Sequence, residues 1–114
     1  AANELTSSEI RYKLFRELYA AEGDLQLGGV TYGWLNASFD FIASLVDKKV
    51  DIPLFIASAE QDTVVDNAAQ FALSHRQKQA QLKSYAGARH ELLCERDEIR
   101  QTILSDFYQF CAEL

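Results

Sequence analysis

The chain has 114 residues, 48% hydrophobic and 25% charged, which is typical of one globular domain and excludes a disordered or repetitive chain. Its 11 Lys and Arg residues against 17 Asp and Glu leave a formal net charge of -6, so we expect no nucleic acid partner. No apolar run approaches the roughly 18 residues of a membrane-spanning helix, and the first four residues do not resemble a signal peptide. We therefore expect a chain with no transmembrane segment and no targeting signal.

The first half of the sequence predicts two helices joined by a glycine-rich loop. Thr6 and Glu9 fit a capping box, and apolar residues then recur at every fourth position, which predicts a helix over residues 7–21. Four of the five glycines fall within residues 23–33, where a loop with left-handed backbone positions is expected. Over residues 32–48 apolar side chains surround most of the helical circumference, so this helix is expected to be buried or to contact two layers.

The second half predicts the order strand, helix, strand, helix. A continuous apolar run over residues 54–57 predicts a strand that is covered on both faces, as in parallel sheets. A helix is expected over residues 66–78, a short strand over residues 81–85, and an amphipathic helix from residue 97 onward. Nothing before residue 50 predicts a further strand, so the sheet is expected to be incomplete. It would be part of a larger doubly wound sheet, or be completed by another copy or another chain.

Two loops that follow the predicted strands carry the residues best suited to chemistry. In an open parallel sheet, functional residues gather where the strands end. The loop over residues 58–66 contains Glu60, Asp62 and Asp66, and the loop over residues 86–91 contains His90. If the strands are neighbours, an acid of the first loop lies beside the imidazole. Asp66 is better explained as a helix cap and Glu60 as a solvated charge, so Asp62 is the favoured partner of His90.

A paired aspartate and histidine can form two members of a hydrolytic triad. A carboxylate that accepts the Nδ1–H of an imidazole fixes its tautomer and leaves Nε2 to take a proton from a nucleophile. A nucleophilic serine in hydrolases of this kind lies on a tight G-x-S-x-G turn, and these 114 residues do not contain that motif. The sequence therefore predicts a triad acid and base whose nucleophile lies elsewhere.

Three blocks of the sequence carry a resemblance to a known family. They are LQLGGVTYGW at residues 25–34, IPLFI at residues 52–56 leading to DTVVD at residues 62–66, and YAGARHE at residues 85–91. With these blocks the chain resembles the monoacylglycerol-lipase-like branch of the α/β-hydrolases, and especially bacterial lysophospholipases. The resemblance extends over nearly the whole chain.

The resemblance implies an α/β fold in which residues 1–30 form the end of a cap or lid region and residues 31–114 form the C-terminal part of the hydrolase core. It implies Asp62 as the triad acid and His90 as the triad base. The implied substrate is a carboxylic ester of a single-chain lipid, a lysophospholipid or a monoacylglycerol, and no metal or organic cofactor is implied. The chain resembles the C-terminal portion of such an enzyme, so without the serine it is expected to be inactive alone. The implied location is cytoplasmic, and peripheral attachment of a longer enzyme to the inner membrane stays open.

Two other functions are compatible with the sequence. Peptidases, epoxide hydrolases and dehalogenases use the same histidine and acid pair with different nucleophiles. A non-catalytic association module would instead use the open sheet edge or an apolar helix to bind a partner or a second copy of itself.

Several other residues are given structural roles. His75 is expected on a solvent-facing side of its helix. Cys94 and Cys111 are expected to be reduced and to be small core residues, because neither has the spacing of a metal site. Tyr32 and Trp34 are expected to belong to an aromatic core rather than to an acyl tunnel.

Overall fold

The computed structural model describes residues 3–114; Ala1 and Ala2, which the sequence assigns to the cap region, lie outside the described residues. The helices are α1 (Glu9–Ala21), α2 (Tyr32–Leu45), α3 (Asn67–Arg76) and α4 (Asp97–Ala112), and the strands are β1 (Leu54–Ala59) and β2 (Ala80–Tyr85). Short 3-10 helices lie at Gly23–Leu25 and Leu92–Cys94. The predicted order of helix, helix, strand, helix, strand, helix is confirmed.

The start of α1 differs from the predicted capping box. Ser8 is the N-cap residue, and its hydroxyl oxygen accepts a hydrogen bond from the Arg11 N–H at 3.4 Å. Thr6 is buried and makes different bonds, since its hydroxyl accepts from the Ser8 N–H at 2.9 Å and donates to the Cys94 carbonyl at 2.7 Å. The prediction of Thr6 as the cap was wrong because the hydroxyl binds the distant chain segment that precedes α4.

The two strands pair in parallel and end together. Leu54 lies opposite Ala80 at one end of the pairing, and Ala59 lies opposite Tyr85 at the other. Because the last residues of the two strands are paired with each other, the loops that leave β1 and β2 begin side by side at one edge of the sheet. Within residues 3–114 the sheet has these two strands alone, so the prediction of an incomplete parallel sheet is confirmed.

Helices cover both faces of this small sheet. Alternate residues of β1 pack with α4: Ala59 belongs to the same core cluster as Ile103, and the Phe55 ring lies 5.6 Å from the ring of Phe110. Helix α3 contacts both strands. Ser58 points away from the α4 face and is fully buried, which shows that the second face is covered where β1 ends. The sheet edge that carries the two loops is therefore the best packed part of the molecule.

The apolar surfaces of α1 and α2 remain uncovered, contrary to the prediction that α2 is buried. No residue of either helix is buried; Phe39 of α2 is 66% exposed and Leu14 of α1 is 60% exposed. Tyr32 and Trp34 are likewise exposed and do not belong to a core. Helical periodicity specifies which residues are apolar, but burial requires a second surface, and residues 3–114 do not provide one.

The size of the molecule also indicates that part of its surface lacks the packing of a closed domain. Its accessible surface is 8665 Å², whereas a closed domain of 12.9 kDa exposes about 6,300 Å². Its radius of gyration is 16.3 Å, compared with about 13 Å for a compact domain of this length. The described chain therefore buries less surface than a self-contained domain does.

Candidate active site

The loop that follows β1 folds around the carboxylate of Asp62. The Asp62 N–H bonds to the Ala59 carbonyl at 3.2 Å, which closes a tight turn. Its Oδ1 accepts hydrogen bonds from the backbone N–H groups of Val64 at 2.8 Å and Val65 at 3.1 Å. Aspartate favours this arrangement because its short side chain can bond to the backbone two residues ahead. The carboxylate is thereby fixed by its own loop.

The loop that follows β2 turns at Gly87. The Ala88 N–H donates to the Tyr85 carbonyl at 3.2 Å, and Gly87 has a φ of +72°, a left-handed backbone that glycine adopts without strain. Ala88 is fully buried beneath this turn. The turn directs the chain back across the sheet edge and brings His90 towards the first loop.

Three hydrogen bonds from backbone N–H groups help to hold the two loops together. The Glu60 N–H donates to the Tyr85 carbonyl at 3.2 Å, and the Gln61 N–H donates to the Ala88 carbonyl at 2.9 Å. The Gly87 N–H donates to the Glu60 side chain at 3.0 Å. Glu60 is exposed, but it is not the purely solvated charge that the sequence suggested. It is a link between the acid loop and the histidine loop.

Asp62 and His90 form a hydrogen-bonded pair across these loops. The Nδ1 atom of His90 lies 3.0 Å from Oδ2 and 3.2 Å from Oδ1 of Asp62. The Asp62 side chain is 4% exposed and the His90 side chain is 30% exposed. An ionised carboxylate only accepts, so Nδ1 carries the proton and Nε2 is left as the basic nitrogen. The structure thus brings together the two residues that the sequence selected.

The environment of Asp62 favours its ionised form. Burial by itself raises the pKa of this carboxyl, but the hydrogen bonds from His90, Val64 and Val65, together with the charge that His90 can carry, outweigh it. The net pKa of Asp62 lies below its ordinary value. At neutral pH the carboxylate is therefore a permanent acceptor for the imidazole.

A second buried carboxylate, Glu95, lies close to the histidine loop and was not found by sequence reasoning. Its residue is fully buried, and its carboxylate accepts hydrogen bonds from Ser7, Arg89 and Arg96. In the sequence it lies in the charged run that precedes α4, which predicts helix-terminal charges on the surface. No local pattern indicates that one member of this run is buried.

The other candidates have structural positions. Asp66 caps α3 as predicted, with its Oδ1 accepting from the Ala68 N–H at 2.8 Å. His75 is exposed on α3, as predicted, and its Nδ1 lies 2.8 Å from the Phe71 carbonyl oxygen. Cys94 and Cys111 are free, but both are exposed, so their assignment to the core was wrong. Cys94 lies in a surface 3-10 helix and Cys111 in the last turn of α4, where no described segment covers them.

The described part of the chain contains no candidate metal site and no candidate membrane-spanning helix. Residues 3–114 contain no group of three or more His, Cys, Asp or Glu side chains placed to hold a metal ion. Among the same residues, every helix is too short or too polar to cross a membrane.

A carboxylate and an imidazole paired where parallel strands end, with helices on both faces of the sheet, are the arrangement expected for the acid and base of an α/β-hydrolase. The family model described as Hydrolase_4, serine aminopeptidase S33, matches residues 1–97. The chain therefore belongs to this α/β-hydrolase family, and the resemblance noted from the sequence is confirmed.

Two curated relatives agree with the family. The chain is 31% identical over 110 residues to "Probable lysophospholipase L2" of Haemophilus influenzae, covering 95% of this chain and 35% of that protein. It is 30% identical over 121 residues to "Lysophospholipase L2" of Escherichia coli K12, with 96% of this chain and 35% of that protein covered. The chain thus spans about a third of the length of these relatives.

A solved structure has the same fold. A soluble variant of monoglyceride lipase from Saccharomyces cerevisiae, in complex with a substrate analog, matches with a TM-score of 0.70 over 99% of this chain and 42% of that one. The two sequences are 17% identical, so the match concerns the fold. It confirms that these helices and strands form part of an α/β-hydrolase fold.

Proposed function

We propose that this chain supplies the acid and the base of a serine hydrolase that cleaves carboxylic esters of single-chain lipids. The substrate would be a lysophospholipid or a monoacylglycerol, and the nucleophilic serine would lie outside these 114 residues. The observation that carries the proposal is the hydrogen bond between Asp62 and His90 at the ends of two parallel strands. The names of the curated relatives support the lysophospholipid.

The proposed mechanism follows from the state of the pair. Asp62 accepts the Nδ1–H of His90, so Nε2 takes the proton from the serine hydroxyl as its oxygen attacks the ester carbonyl. The bond to the alcohol then breaks, and His90 passes the proton to that oxygen. A water molecule, deprotonated by the same nitrogen, attacks the acyl-enzyme; the bond to the serine oxygen breaks, His90 returns the proton to that oxygen, and the fatty acid is released. Asp62 stabilises the imidazolium that forms in each step.

The same proposal divides the chain into two parts. Residues 1–30 would be the end of a cap over the acyl site, and residues 31–114 the C-terminal part of the core. The absence of buried residues in α1 supports this division, and Arg11 of α1 binds the Glu95 carbonyl and Asp97 at the start of α4. Such a cap would be anchored beside the histidine loop.

The test compares the two histidines of the chain in the longest open reading frame that contains it. His90→Ala should abolish hydrolysis of a short-chain nitrophenyl ester and of a lysophospholipid while leaving the circular dichroism spectrum unchanged. His75→Ala is the matched control and should leave hydrolysis intact, since His75 bonds only to its own helix. Unchanged hydrolysis by the folded His90→Ala protein would reject the proposal.

The proposed absence of the nucleophile has its own test. The 114-residue chain alone should show no ester hydrolysis above that of the His90→Ala chain. If it hydrolyses the nitrophenyl ester and a serine-directed phosphonate inactivates it, the nucleophile lies within these residues. Restoration of hydrolysis by the preceding part of the reading frame would support a nucleophile there.

A peptidase is a second candidate, because the matching family model is described as a serine aminopeptidase. The same pair would then act on an amide, and the proton from His90 would go to the leaving amine. Assays with amino-acid nitroanilides beside lysophospholipids separate the two substrates. Faster turnover of the nitroanilide would favour the peptidase.

Association is a third candidate, and the exposed apolar residues of α1 and α2 favour it. The open sheet edge or these helices would pair with a partner or with a second copy of the chain. Analytical ultracentrifugation of the chain at several concentrations tests self-association. A monomer at all concentrations would reject pairing between copies.

A further inference from the structure

We propose that Glu95 is a positioning residue for His90: its buried carboxylate fixes the backbone on both sides of the imidazole and so holds Nδ1 against Asp62. This inference rests on the proposed roles of Asp62 and His90. Glu95 itself does not touch the pair through any hydrogen bond among the described residues, so it would act through the histidine loop.

The first contact is with the residue that precedes the histidine. The Arg89 N–H donates to Oε1 of Glu95 at 2.8 Å. This N–H belongs to the planar peptide unit between Ala88 and Arg89, and only the two backbone dihedral angles of Arg89 separate it from the next unit, so fixing it limits where His90 can lie. The carboxylate therefore holds the loop from the N-terminal side of His90.

The second contact acts through the segment that precedes α1. The Glu95 carboxylate accepts from the Ser7 backbone N–H at 2.9 Å and also from the Ser7 hydroxyl. Two residues earlier in that segment, the Leu5 carbonyl accepts the N–H of Glu91 at 2.7 Å. The residue after His90 is thus fixed by a segment that Glu95 itself anchors.

The same segment is bound to the histidine loop by a side chain. The Arg89 guanidinium donates through Nη1 to the Asn3 carbonyl at 2.6 Å. The segment and the loop therefore move as one unit, and the Glu95 carboxylate lies between them. Loss of that carboxylate would remove the link between Ser7 and the Arg89 N–H and would loosen the backbone on both sides of His90, although the bonds to Asn3 and Leu5 remain.

The charge of Glu95 is required, and not only its shape. Burial raises the pKa of this carboxyl, but hydrogen bonds from Ser7, Arg89 and Arg96 outweigh the effect and leave the pKa below its ordinary value. An ionised carboxylate can only accept hydrogen bonds. This suits its surroundings, where the four donors are the Ser7 N–H and hydroxyl, the Arg89 N–H and the Arg96 N–H. In Glu95→Gln a single oxygen remains: at the Oε1 position it keeps the N–H groups of Ser7 and Arg89 only as weaker, uncharged bonds, and the amide nitrogen then faces the Arg96 N–H and cannot accept from it.

The experiment reads the tautomer of each imidazole by nitrogen-15 NMR in protein labelled at histidine. In the wild type, His90 should carry its proton on Nδ1. In Glu95→Gln the ratio of the Nδ1–H to the Nε2–H form of His90 should fall about tenfold or more, because a charge-assisted bond to Asp62 is weakened. His75 serves as the internal reference and should not change, since its bond is to Phe71 of its own helix.

Asp106→Asn is the matched control for a merely structural effect. Asp106 is also a hydrogen-bonded carboxylate, and it binds Lys83 at 2.7 Å and the Tyr85 hydroxyl at 3.0 Å. Its bonds join β2 to α4 and do not reach the residues that flank His90. This variant should lower the melting temperature and leave the His90 tautomer unchanged.

Ser7→Ala covers the case in which Glu95→Gln does not fold. It keeps the carboxylate and its bond to Arg89 but removes the Ser7 hydroxyl, so the tautomer ratio should shift in the same direction by less. An unchanged ratio in Ser7→Ala, when Glu95→Gln is unfolded, would overturn the inference. So would an unchanged ratio in a folded Glu95→Gln protein.

Kinetics provide a second readout in the hydrolytic protein. A displaced base should lower kcat about ten- to a hundredfold and leave KM nearly unchanged, because positioning affects the chemical step. A lower melting temperature without a change in kcat or tautomer would show that Glu95 only stabilises the fold. If the tautomer shifts but His90→Ala still hydrolyses the ester, the proposed function fails and the role of Glu95 in holding His90 stands.

Discussion

The part of the molecule from β1 to α4 and the part that contains α1 and α2 differ in how they use their apolar residues. From β1 to α4, Ala59 and Ile103 are buried in one core cluster. In α1 and α2 no residue is buried, although the sequence of α2 is more apolar than those of α3 and α4. Helices α1 and α2 are thus no poorer in apolar side chains than the helices of the packed part.

The comparison shows that packing here follows the availability of a second surface. The two strands have α3 and α4 to cover them, whereas α2 has few contacts with other helices and strands among the described residues. The loop after α2 is hydrogen-bonded to Gln77 through Val50 and Lys48. The candidate site lies in the well-packed part. Its geometry should therefore be rigid, and changes in the two parts should have different effects.

The largest expected effect is a loss of catalysis, caused by a substitution in the packed part from β1 to α4. Asp62→Asn should lower kcat of the hydrolytic protein about 10⁴-fold, because an amide cannot fix the Nδ1–H tautomer. Asp66→Asn is the control, since asparagine caps α3 as well as aspartate does and Asp66 does not bond to His90. Steady-state ester hydrolysis measures both. Similar losses in the two variants would contradict the assignment of Asp62.

The next effect compares buried and exposed apolar side chains. Ile103→Ala should reduce the free energy of unfolding by about 2–5 kcal/mol, because it leaves a cavity between β1, β2 and α4. Phe39→Ala on α2 should change it by less than about 0.5 kcal/mol. Urea unfolding followed by circular dichroism measures both values. A large loss from Phe39→Ala would mean that α2 is covered in solution, and the comparison would fail.

Acid should weaken the packed part through its hydrogen-bonded carboxylates. The pKa values of Asp62, Glu95 and Asp106 are lower in the folded chain than their ordinary values of 3.8, 4.5 and 3.8. Because the unfolded chain binds protons more readily, stability is fully present above pH 4.5 and falls as the pH drops through the lower folded pKa values.

Urea unfolding at a series of pH values tests this sign. The free energy of unfolding should be level above pH 4.5 and decrease below it, and in Glu95→Gln part of the decrease should disappear. A free energy that rises towards low pH would contradict the depressed pKa values.

The smallest expected effect compares two glycines that both have left-handed backbones. Gly87→Ala should lower the free energy of unfolding by about 1 kcal/mol, because alanine is strained at the positive φ of this position. No steric clash adds to this cost, since a Cβ there meets no atom within 4 Å. Gly28→Ala, in the exposed loop before α2, should cost less because that loop can rearrange. Melting temperatures measure both, and only Gly87→Ala should also reduce hydrolysis. Equal effects on hydrolysis would contradict the placement of the site.

The sequence predicted the elements well because their signals are local. Apolar periodicity and the Asp66 cap each depend on residues a few positions apart, and the structure contains both. The pairing of Asp62 with His90 was also predictable, since parallel strands that end together bring their loops to one edge.

Other features depended on contacts between distant residues and were missed. Thr6 looked like a cap, but its hydroxyl binds the carbonyl of Cys94, 88 residues away. Glu95 received no role from the sequence, because the bonds that compensate its burial come from distant Ser7 and from Arg89. No pattern along the chain encodes such partners.

By itself, the sequence determined the order of the elements, the parallel strands and the two loops that bring an acid to an imidazole, because local periodicity and strand register carry that information. Only the tertiary structure decided that α2 is exposed and that Glu95 is buried beside the histidine loop. Burial and hydrogen-bond satisfaction are properties of whichever surfaces meet, and a residue's neighbours along the chain do not specify those surfaces.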